Sequence, residues 1–211
     1  MFAALLLAFL QAPADPFEKW EKSIVAIEKR LKEKPPAKGG VAFVGSSSIV
    51  KWNLDKSFPG KNYTNVGFGG SVIRDSTHFV DRIVVPIEPS AIVFYAGDND
   101  LGAKRTPEQV LEDYQAFVKA VHSKLPKAKI HYIPVKPSIA RWKLYDVQKV
   151  ANAKVKEFVA KDERLSYIDI VPAMLGADGM PIPDLFVKDG LHMSDKGYEV
   201  WTGPVMKALA K

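Results

Sequence analysis

The chain has 211 residues, of which 47% are hydrophobic, so it is long and apolar enough to bury the core of an α/β domain. Its 30 basic and 24 acidic residues give a net charge of +6. The basic residues form no long run, which argues against a nucleic-acid partner. The absence of cysteine excludes disulfides, thiolate-bound metals and a cysteine nucleophile.

Residues 1–14 form an uncharged N-terminal segment. Its apolar stretch, residues 1–10, is shorter than the roughly 20 residues that a membrane-spanning helix needs, so no stable membrane anchor is predicted. Ala12-Pro13-Ala14 has the small-x-small pattern after which signal peptides are cut, and we therefore predict export to the periplasm or medium. No basic residue precedes the stretch, so an ordinary N-terminus of a cytoplasmic protein is the alternative. Residues 15–211 are predicted to form a single domain.

The first predicted element after this segment is an amphipathic helix over residues 16–34, where apolar residues recur at three- and four-residue spacing. Pro35 and Pro36 end it. The apolar run at 41–45 is typical of a strand buried on both faces. Four further runs predict strands at 62–66, 91–97, 129–135 and 165–171.

Helices are predicted between and after these strands. Thr106, Pro107 and Gln109 form a capping box that opens a helix ending near Lys124. A second helix is predicted over 142–161, and Ser194 is predicted to cap a last helix that ends near residue 209. This alternation indicates an α/β fold, a three-layer α/β/α sandwich around a mostly parallel five-stranded sheet.

Polar residues and glycines follow the predicted strands, at the sheet edge where parallel sheets bind ligands. Alone, each has an ordinary interpretation as a turn, a helix cap or a structural histidine. Together they supply a nucleophile, a base, an orienting acid and oxyanion donors, which are the groups that ester hydrolysis requires. They are Ser46, Ser47 and Ser48 after the first strand, Gly67, Gly69 and Gly70 after the second, Asn99 after the third, and Asp189 and His192 near the end.

Two other site types fit less well. A metal site built from Asp98, Asp100, Asp189 and His192 would leave the serines and glycines without a role, so no metal is predicted. A nucleophile elbow needs the pattern G-x-S-x-G, and Ile49 stands where its second glycine belongs.

Four blocks carry a resemblance to a known family: FVGSSSI (43–49), NVGFGGS (65–71), YAGDND (95–100) and DGLH (189–192). In this order and at these separations they resemble the GDSL or SGNH hydrolase superfamily of serine esterases and acylhydrolases. The resemblance spans about residues 41–201. It implies an SGNH-type, flavodoxin-like sheet, a small-molecule ester substrate and no cofactor.

The resemblance also implies individual roles. Ser47 would be the nucleophile, His192 the base and Asp189 the residue that orients it. The backbone N–H groups of Ser47 and Gly70 and the side chain of Asn99 would form the oxyanion hole. The family usually has aspartate directly before the nucleophile, where this chain has a serine at position 46, and this departure leaves Ser46 and Ser48 as alternative nucleophiles.

Substrate preference is the least defined expectation. No lid or long apolar insertion separates the blocks, which favours short-acyl esters, such as acetyl esters of carbohydrates or similar alcohols. A lysophospholipase or thioesterase of the same superfamily, or a non-catalytic carbohydrate- or lipid-binding module, are the alternatives. Arg141, Trp142 and Phe186 are candidate substrate-binding residues. Their alternatives are a solvated arginine, a capping tryptophan and a phenylalanine that packs under the loop.

Overall fold

The strands account for the layout of the molecule. The computed structural model describes residues 15–210, in which five short strands form one sheet: β1 (Val41–Gly45), β2 (Thr64–Asn65), β3 (Ala91–Tyr95), β4 (Lys129–Tyr132) and β5 (Leu165–Tyr167). Their order is β2-β1-β3-β4-β5, and every neighbouring pair is parallel. The order reverses between β1 and β3, and such a switch point is where open α/β sheets bind ligands.

Helices cover both faces of the sheet. In chain order they are α1 (Glu21–Glu33), α2 (Ser47–Val50), α3 (Leu54–Ser57), α4 (Ile73–His78), α5 (Val80–Ile83), α6 (Asp98–Gly102), α7 (Pro107–Lys124), α8 (Tyr145–Val159) and α9 (Asp195–Leu209). None of the helices formed by the described residues has the length and apolar character needed to cross a membrane.

Alternate side chains of the strands enter two separate cores. Ile92 and Phe94 pack with residues of α1, α4, α5, α7 and α8, whereas Val93 and Tyr95 pack with residues of α2, α3 and α9. Because successive side chains of a strand point to opposite faces, β1 and β3 each contribute to both cores. The structure therefore confirms the predicted three-layer α/β/α sandwich with a five-stranded sheet, which is entirely parallel.

Several predicted elements are longer than the observed ones. The strand predicted at 62–66 is only Thr64–Asn65, because Asn62 adopts a left-handed backbone with φ of +52°. The strand predicted at 129–135 ends at Tyr132. Pro134 cannot donate to the ladder, and the Asn152 side chain bonds both backbone groups of Val135 at 2.8 Å.

Other predicted elements also differ from the observed ones at their ends. The predicted strands 91–97 and 165–171 end at Tyr95 and Tyr167. Short 3₁₀ turns form the first part of both helices predicted at 16–34 and 142–161. The capping box of Thr106 and Gln109 is confirmed, as is the Ser194 cap, whose hydroxyl accepts from the Gly197 N–H at 3.2 Å. The predicted export signal, residues 1–14, lies outside the described residues.

Candidate active site

The serine loop leaves the sheet at the end of β1. Gly45 has φ of +142°, and a Cβ placed on it would lie 1.9 Å from the carbonyl oxygen of Tyr95, so only glycine fits. This close approach lets the Ser46 N–H donate to that oxygen at 3.0 Å. Ser47 follows as the first residue of α2 and is half-buried. The seryl side chain is thus held beside the end of β3, at the switch point of the sheet.

His192 lies against this serine although the two are 145 positions apart. Its Nε2 is 3.0 Å from the Ser47 Oγ, and its Nδ1 is 2.6 Å from Oδ2 of Asp189. Hydrogen bonds from the His192 ring and backbone, with another from the Leu191 N–H, hold the pKa of Asp189 well below its usual range. An ionised carboxylate only accepts, so in the neutral ring Nδ1 carries the proton and Nε2 accepts the hydrogen bond of the Ser47 hydroxyl.

Hydrogen bonds within the loop that carries Asp189 and His192 fix its conformation. The second carboxylate oxygen of Asp189 accepts the N–H groups of Leu191 and His192, both at 2.9 Å. Gly190 turns the chain with φ of +62°, and its carbonyl accepts the N–H of Ala140 at 3.0 Å. The three-residue spacing therefore presents the carboxylate to the imidazole from within one tight turn, and the turn is docked on the segment that follows β4.

A glycine loop lies beside the same serine, and the loop that carries Asn99 is bonded to this glycine loop. A Cβ placed on Gly69 would lie 3.9 Å from the Ser47 Cβ, so the glycine loop after β2 passes directly beside it. Gly70, which is exposed, has φ of +84°. Asn99, in the first turn of α6, donates through Nδ2 to the Ser71 carbonyl at 3.0 Å and thereby connects the loop after β3 to the glycine loop.

A buried charged cluster lies behind Asn99. Oδ2 of Asp98 accepts from Nζ of Lys136 at 3.0 Å, and its other oxygen accepts from Nη1 of Arg141 at 2.5 Å. The Lys136 and Asp98 side chains are only 1% and 5% exposed. Burial would raise the pKa of Asp98, but Lys136 and Arg141 together lower it below its usual value. The site thus keeps an ionised carboxylate in its interior because two cations contact it.

Asp100 occupies a different environment. It is fully buried, and one of its oxygens accepts from the Ile73 N–H at 3.1 Å while the other has no hydrogen-bond partner. Burial raises the pKa of Asp100 to about 6. Of the residues considered for a metal site, Asp98 binds two cations and Asp189 binds a histidine. Within residues 15–210, no group of three metal-ligating side chains could hold an ion.

Comparison with protein families gives a match over residues 41–200, to the GDSL-like Lipase/Acylhydrolase family. The chain belongs to this family. Members of the GDSL-like family are hydrolases, and the matched segment includes all four loops of the site. Among curated proteins no match is found.

Solved structures share the fold of this GDSL-like protein. A protein from Streptococcus pneumonia whose name refers to platelet activating factor has a TM-score of 0.80 at 18% identity, covering 90% of this chain and 93% of the other. A GDSL-like lipase from Bacteroides thetaiotaomicron has a TM-score of 0.71 at 18% identity, with 92% and 97% covered. A carbohydrate esterase of family 3 from Talaromyces cellulolyticus has a TM-score of 0.64 at 17% identity, with 81% and 96% covered.

The three candidate substrate-binding residues of this GDSL-like chain have different surroundings. Arg141 donates through Nη2 to the Asn99 side-chain oxygen at 3.0 Å, in addition to its bond to Asp98. The Trp142 ring is partly exposed and stacks on Tyr145, with ring centres 4.5 Å apart. Phe186 is buried in the core that faces α9. The structure thus brings Arg141 to the site, whereas Phe186 lies in the core.

Lys136 is the residue at the site that the sequence does not reveal. A lysine is rarely buried, and this one follows an apolar strand without any motif. The charge of Asp98, 38 positions earlier in the chain, and the Tyr95 hydroxyl, which accepts from Lys136 Nζ at 3.1 Å, explain its burial. Position 46, where the family usually has aspartate, is also buried, and its backbone N–H bonds Tyr95 as described above.

Proposed function

We propose that this protein is a serine esterase, with Ser47 as the nucleophile, His192 as the general base and Asp189 as the carboxylate that orients the base. One observation carries the proposal: hydrogen bonds run without interruption from Asp189 through His192 to Ser47, at 2.6 and 3.0 Å. Both distances lie within the reach that proton transfer between these groups requires.

In the acylation step, His192 Nε2 takes the proton of Ser47 as the serine oxygen attacks the carbonyl carbon of the ester. The C=O double bond opens and the negative charge moves to its oxygen. The adjacent carboxylate of Asp189 stabilises the imidazolium that has formed. When the tetrahedral intermediate collapses, the ester C–O bond breaks and His192 gives its proton to the departing alcohol, leaving an acyl group on Ser47.

In the deacylation step, water replaces the alcohol. His192 takes a proton from water as the water oxygen attacks the acyl carbon. The bond to the Ser47 oxygen then breaks, and the imidazolium returns its proton to that oxygen. The products are a carboxylic acid and the free enzyme. The cycle as proposed uses only the side chains of the triad, the oxyanion donors and water.

The oxyanion hole is proposed to consist of the N–H groups of Ser47 and Gly70 and one N–H of the Asn99 side chain. Its support is the proximity of the glycine loop to Ser47 and the bond of Asn99 to the Ser71 carbonyl in that loop. Donors that are already fixed in place cost no reorganisation when the negative charge develops, and each is worth about 100- to 1000-fold in turnover.

The proposed substrates are short-acyl esters, such as acetyl esters of a carbohydrate or a similar alcohol. The Talaromyces structure shares the fold at low identity and is named as a carbohydrate esterase. For this reason carbohydrate esters are the first substrates to test. The loops after β1 and β3 lead directly into α2 and α6, so neither contributes a long apolar insertion that could enclose a fatty chain.

A panel of esters tests this proposal. The wild type is expected to hydrolyse p-nitrophenyl acetate and acetylated sugars, with rates that fall from acetate to palmitate. Ser47→Ala should lose at least about 10⁴-fold in kcat, as other enzymes with such triads do. The matched control is Ser48→Ala, which removes a neighbouring buried hydroxyl and should keep most of the activity.

Each contrary outcome of the panel has a distinct meaning. Full activity of Ser47→Ala would refute the assigned nucleophile. Faster hydrolysis of palmitate esters would favour a lysophospholipase or thioesterase. A wild type that binds acetylated sugars and hydrolyses none of the esters would be a binding module, an alternative that the serine at position 46 in place of aspartate keeps open.

A further inference from the structure

The Asn99 side-chain amide is held at both ends. Its oxygen accepts from Arg141 Nη2 at 3.0 Å, and its nitrogen donates to the Ser71 carbonyl at 3.0 Å. A guanidinium can only donate and a carbonyl can only accept, so a single orientation of the amide satisfies both partners. In that orientation one N–H of Asn99 is used by Ser71, and the other is left for an additional acceptor.

Arg141 is itself fixed in place. Its Nη1 donates to Asp98 at 2.5 Å, so the guanidinium bridges the side chains of two consecutive residues, Asp98 and Asn99. A Cβ placed on Gly102 would lie 3.2 Å from Arg141 Cζ, so the guanidinium packs closely over a position that carries no side chain. The planar fork of an arginine suits such a bridge, whereas a lysine could occupy only one end of it.

We propose that Arg141 is a positioning residue, which fixes the Asn99 amide for binding the oxyanion and is anchored by the buried pair of Asp98 and Lys136. This inference rests on the proposed esterase function, and it assigns to Arg141 a role other than direct contact with substrate. Without the guanidinium, the Asn99 oxygen would lose its partner and the amide could rotate away from the developing charge.

The charges of the cluster hold Arg141 in place. Asp98 contacts both Lys136 and Arg141, at 3.0 and 2.5 Å. Because Lys136 and Asp98 are almost fully buried, water screens their charges little. The attraction of Asp98 therefore keeps the guanidinium beside Asn99, and removal of Arg141 should weaken the oxyanion hole by freeing the amide.

The first test is kinetic. Arg141→Ala is expected to lower kcat by about 10- to 100-fold, which is less than the loss of the donor itself in Asn99→Ala, while KM changes by less than about threefold. In the double variant, Arg141→Ala should add almost nothing to the effect of Asn99→Ala, because both act through one amide. Arg141→Lys keeps the charge and is still expected to lower kcat.

Arg105→Ala is the matched control. Arg105 pairs with Asp113 at 2.5 Å, and its side chain is 19% exposed against 21% for Arg141. This variant removes the cation that pairs with the buried Asp113, so it should lower thermal stability at least as much as Arg141→Ala does while leaving kcat unchanged. Arg141→Ala is expected to fold, because Lys136 still pairs with Asp98 and no buried carboxylate is left without a partner. Should Arg141→Ala not fold, the lysine variant carries the test.

Three kinetic results would overturn the inference. A raised KM at constant kcat would make Arg141 a substrate contact. A multiplicative effect in the double variant would give it a role independent of Asn99. An unchanged kcat in Arg141→Ala or Arg141→Lys would show that Arg141 has no role in turnover.

A readout that needs no turnover separates this inference from the proposed function. In the NMR spectrum of the resting protein, the Asn99 side-chain amide should exchange slowly with solvent and become faster in Arg141→Ala. If the wild type hydrolyses no ester, the esterase proposal fails, and the amide signal still decides whether Arg141 fixes Asn99. An identical amide signal in the two proteins would overturn the positioning role.

Discussion

The role of Asp189 can be tested with a change of one atom. In Asp189→Asn, the side-chain oxygen can still accept the two N–H groups of Leu191 and His192, so the turn should remain intact. The new NH₂ group then takes the place of Oδ2, which lies 2.6 Å from His192 Nδ1, and so faces that nitrogen. Turning the amide around would direct that NH₂ at the two backbone donors and lose both bonds, each worth about 1 kcal/mol.

The consequence for the histidine is a change of tautomer. Nδ1 must now accept, so the ring proton moves to Nε2, which can no longer take the proton of Ser47. The same substitution in a serine protease with this arrangement lowers kcat by about 10⁴-fold, and we expect a loss of that order here, or about 5 kcal/mol of transition-state stabilisation. Steady-state hydrolysis of p-nitrophenyl acetate at neutral pH measures it.

The control for this variant is Asp184→Asn. Asp184 lies in the same part of the chain and pairs with Lys196 at 2.9 Å, but both side chains are exposed. Its loss should change neither kcat nor thermal stability appreciably. If Asp189→Asn is correctly folded and retains more than a tenth of wild-type kcat, the orienting role assigned to Asp189 is wrong.

Two further predictions concern the core and the glycine loop. Burial, with a smaller contribution from Lys129, lowers the pKa of His131 to about 4. Below pH 6.5 His131 therefore binds a proton more readily in the unfolded chain than in the folded one. Its contribution to the free energy of unfolding should fall by about 3 kcal/mol between pH 7 and pH 4. Urea unfolding of His131→Gln should lack this loss, and an equal loss in both proteins would contradict the assignment. Gly70→Ala should lower kcat sharply. Gly39→Ala is its control, because Gly39 has φ of +75° and no atom near its Cβ position; this variant should carry a similar backbone cost of about 1 kcal/mol and leave kcat unchanged. Equal kcat values in the two variants would exclude a special role for Gly70.

The sequence predicts the layered fold well because the fold depends on patterns that lie within short segments. Buried parallel strands are apolar on both faces, as at 91–95, and the capping box at Thr106 sets a helix start by local hydrogen bonds alone. Strand ends are predicted less well, because they depend on tertiary partners. Val135 leaves the ladder when the Asn152 side chain bonds its backbone, and no local signal marks that exchange.

The residues of the site likewise fall into those that local motifs predict and those that depend on tertiary partners. The four blocks predict Ser47, Asn99, Asp189 and His192, and the structure brings their loops to one edge of the sheet. The charged cluster behind Asn99 could not be predicted in this way. Lys136 and Arg141 lie 38 and 43 positions after Asp98, and burial of a lysine is not expected until its carboxylate partner is known.

The most direct test of the central claim is the site at which a fluorophosphonate reacts. The hydrogen-bonded chain ending at Ser47 predicts stoichiometric labelling, with the adduct mapped by peptide mass spectrometry to Ser47 and to neither Ser46 nor Ser48. His192→Ala should slow the labelling by several orders of magnitude, because the serine loses its base. A wild-type protein that is not labelled, or an adduct on another serine, would contradict the account.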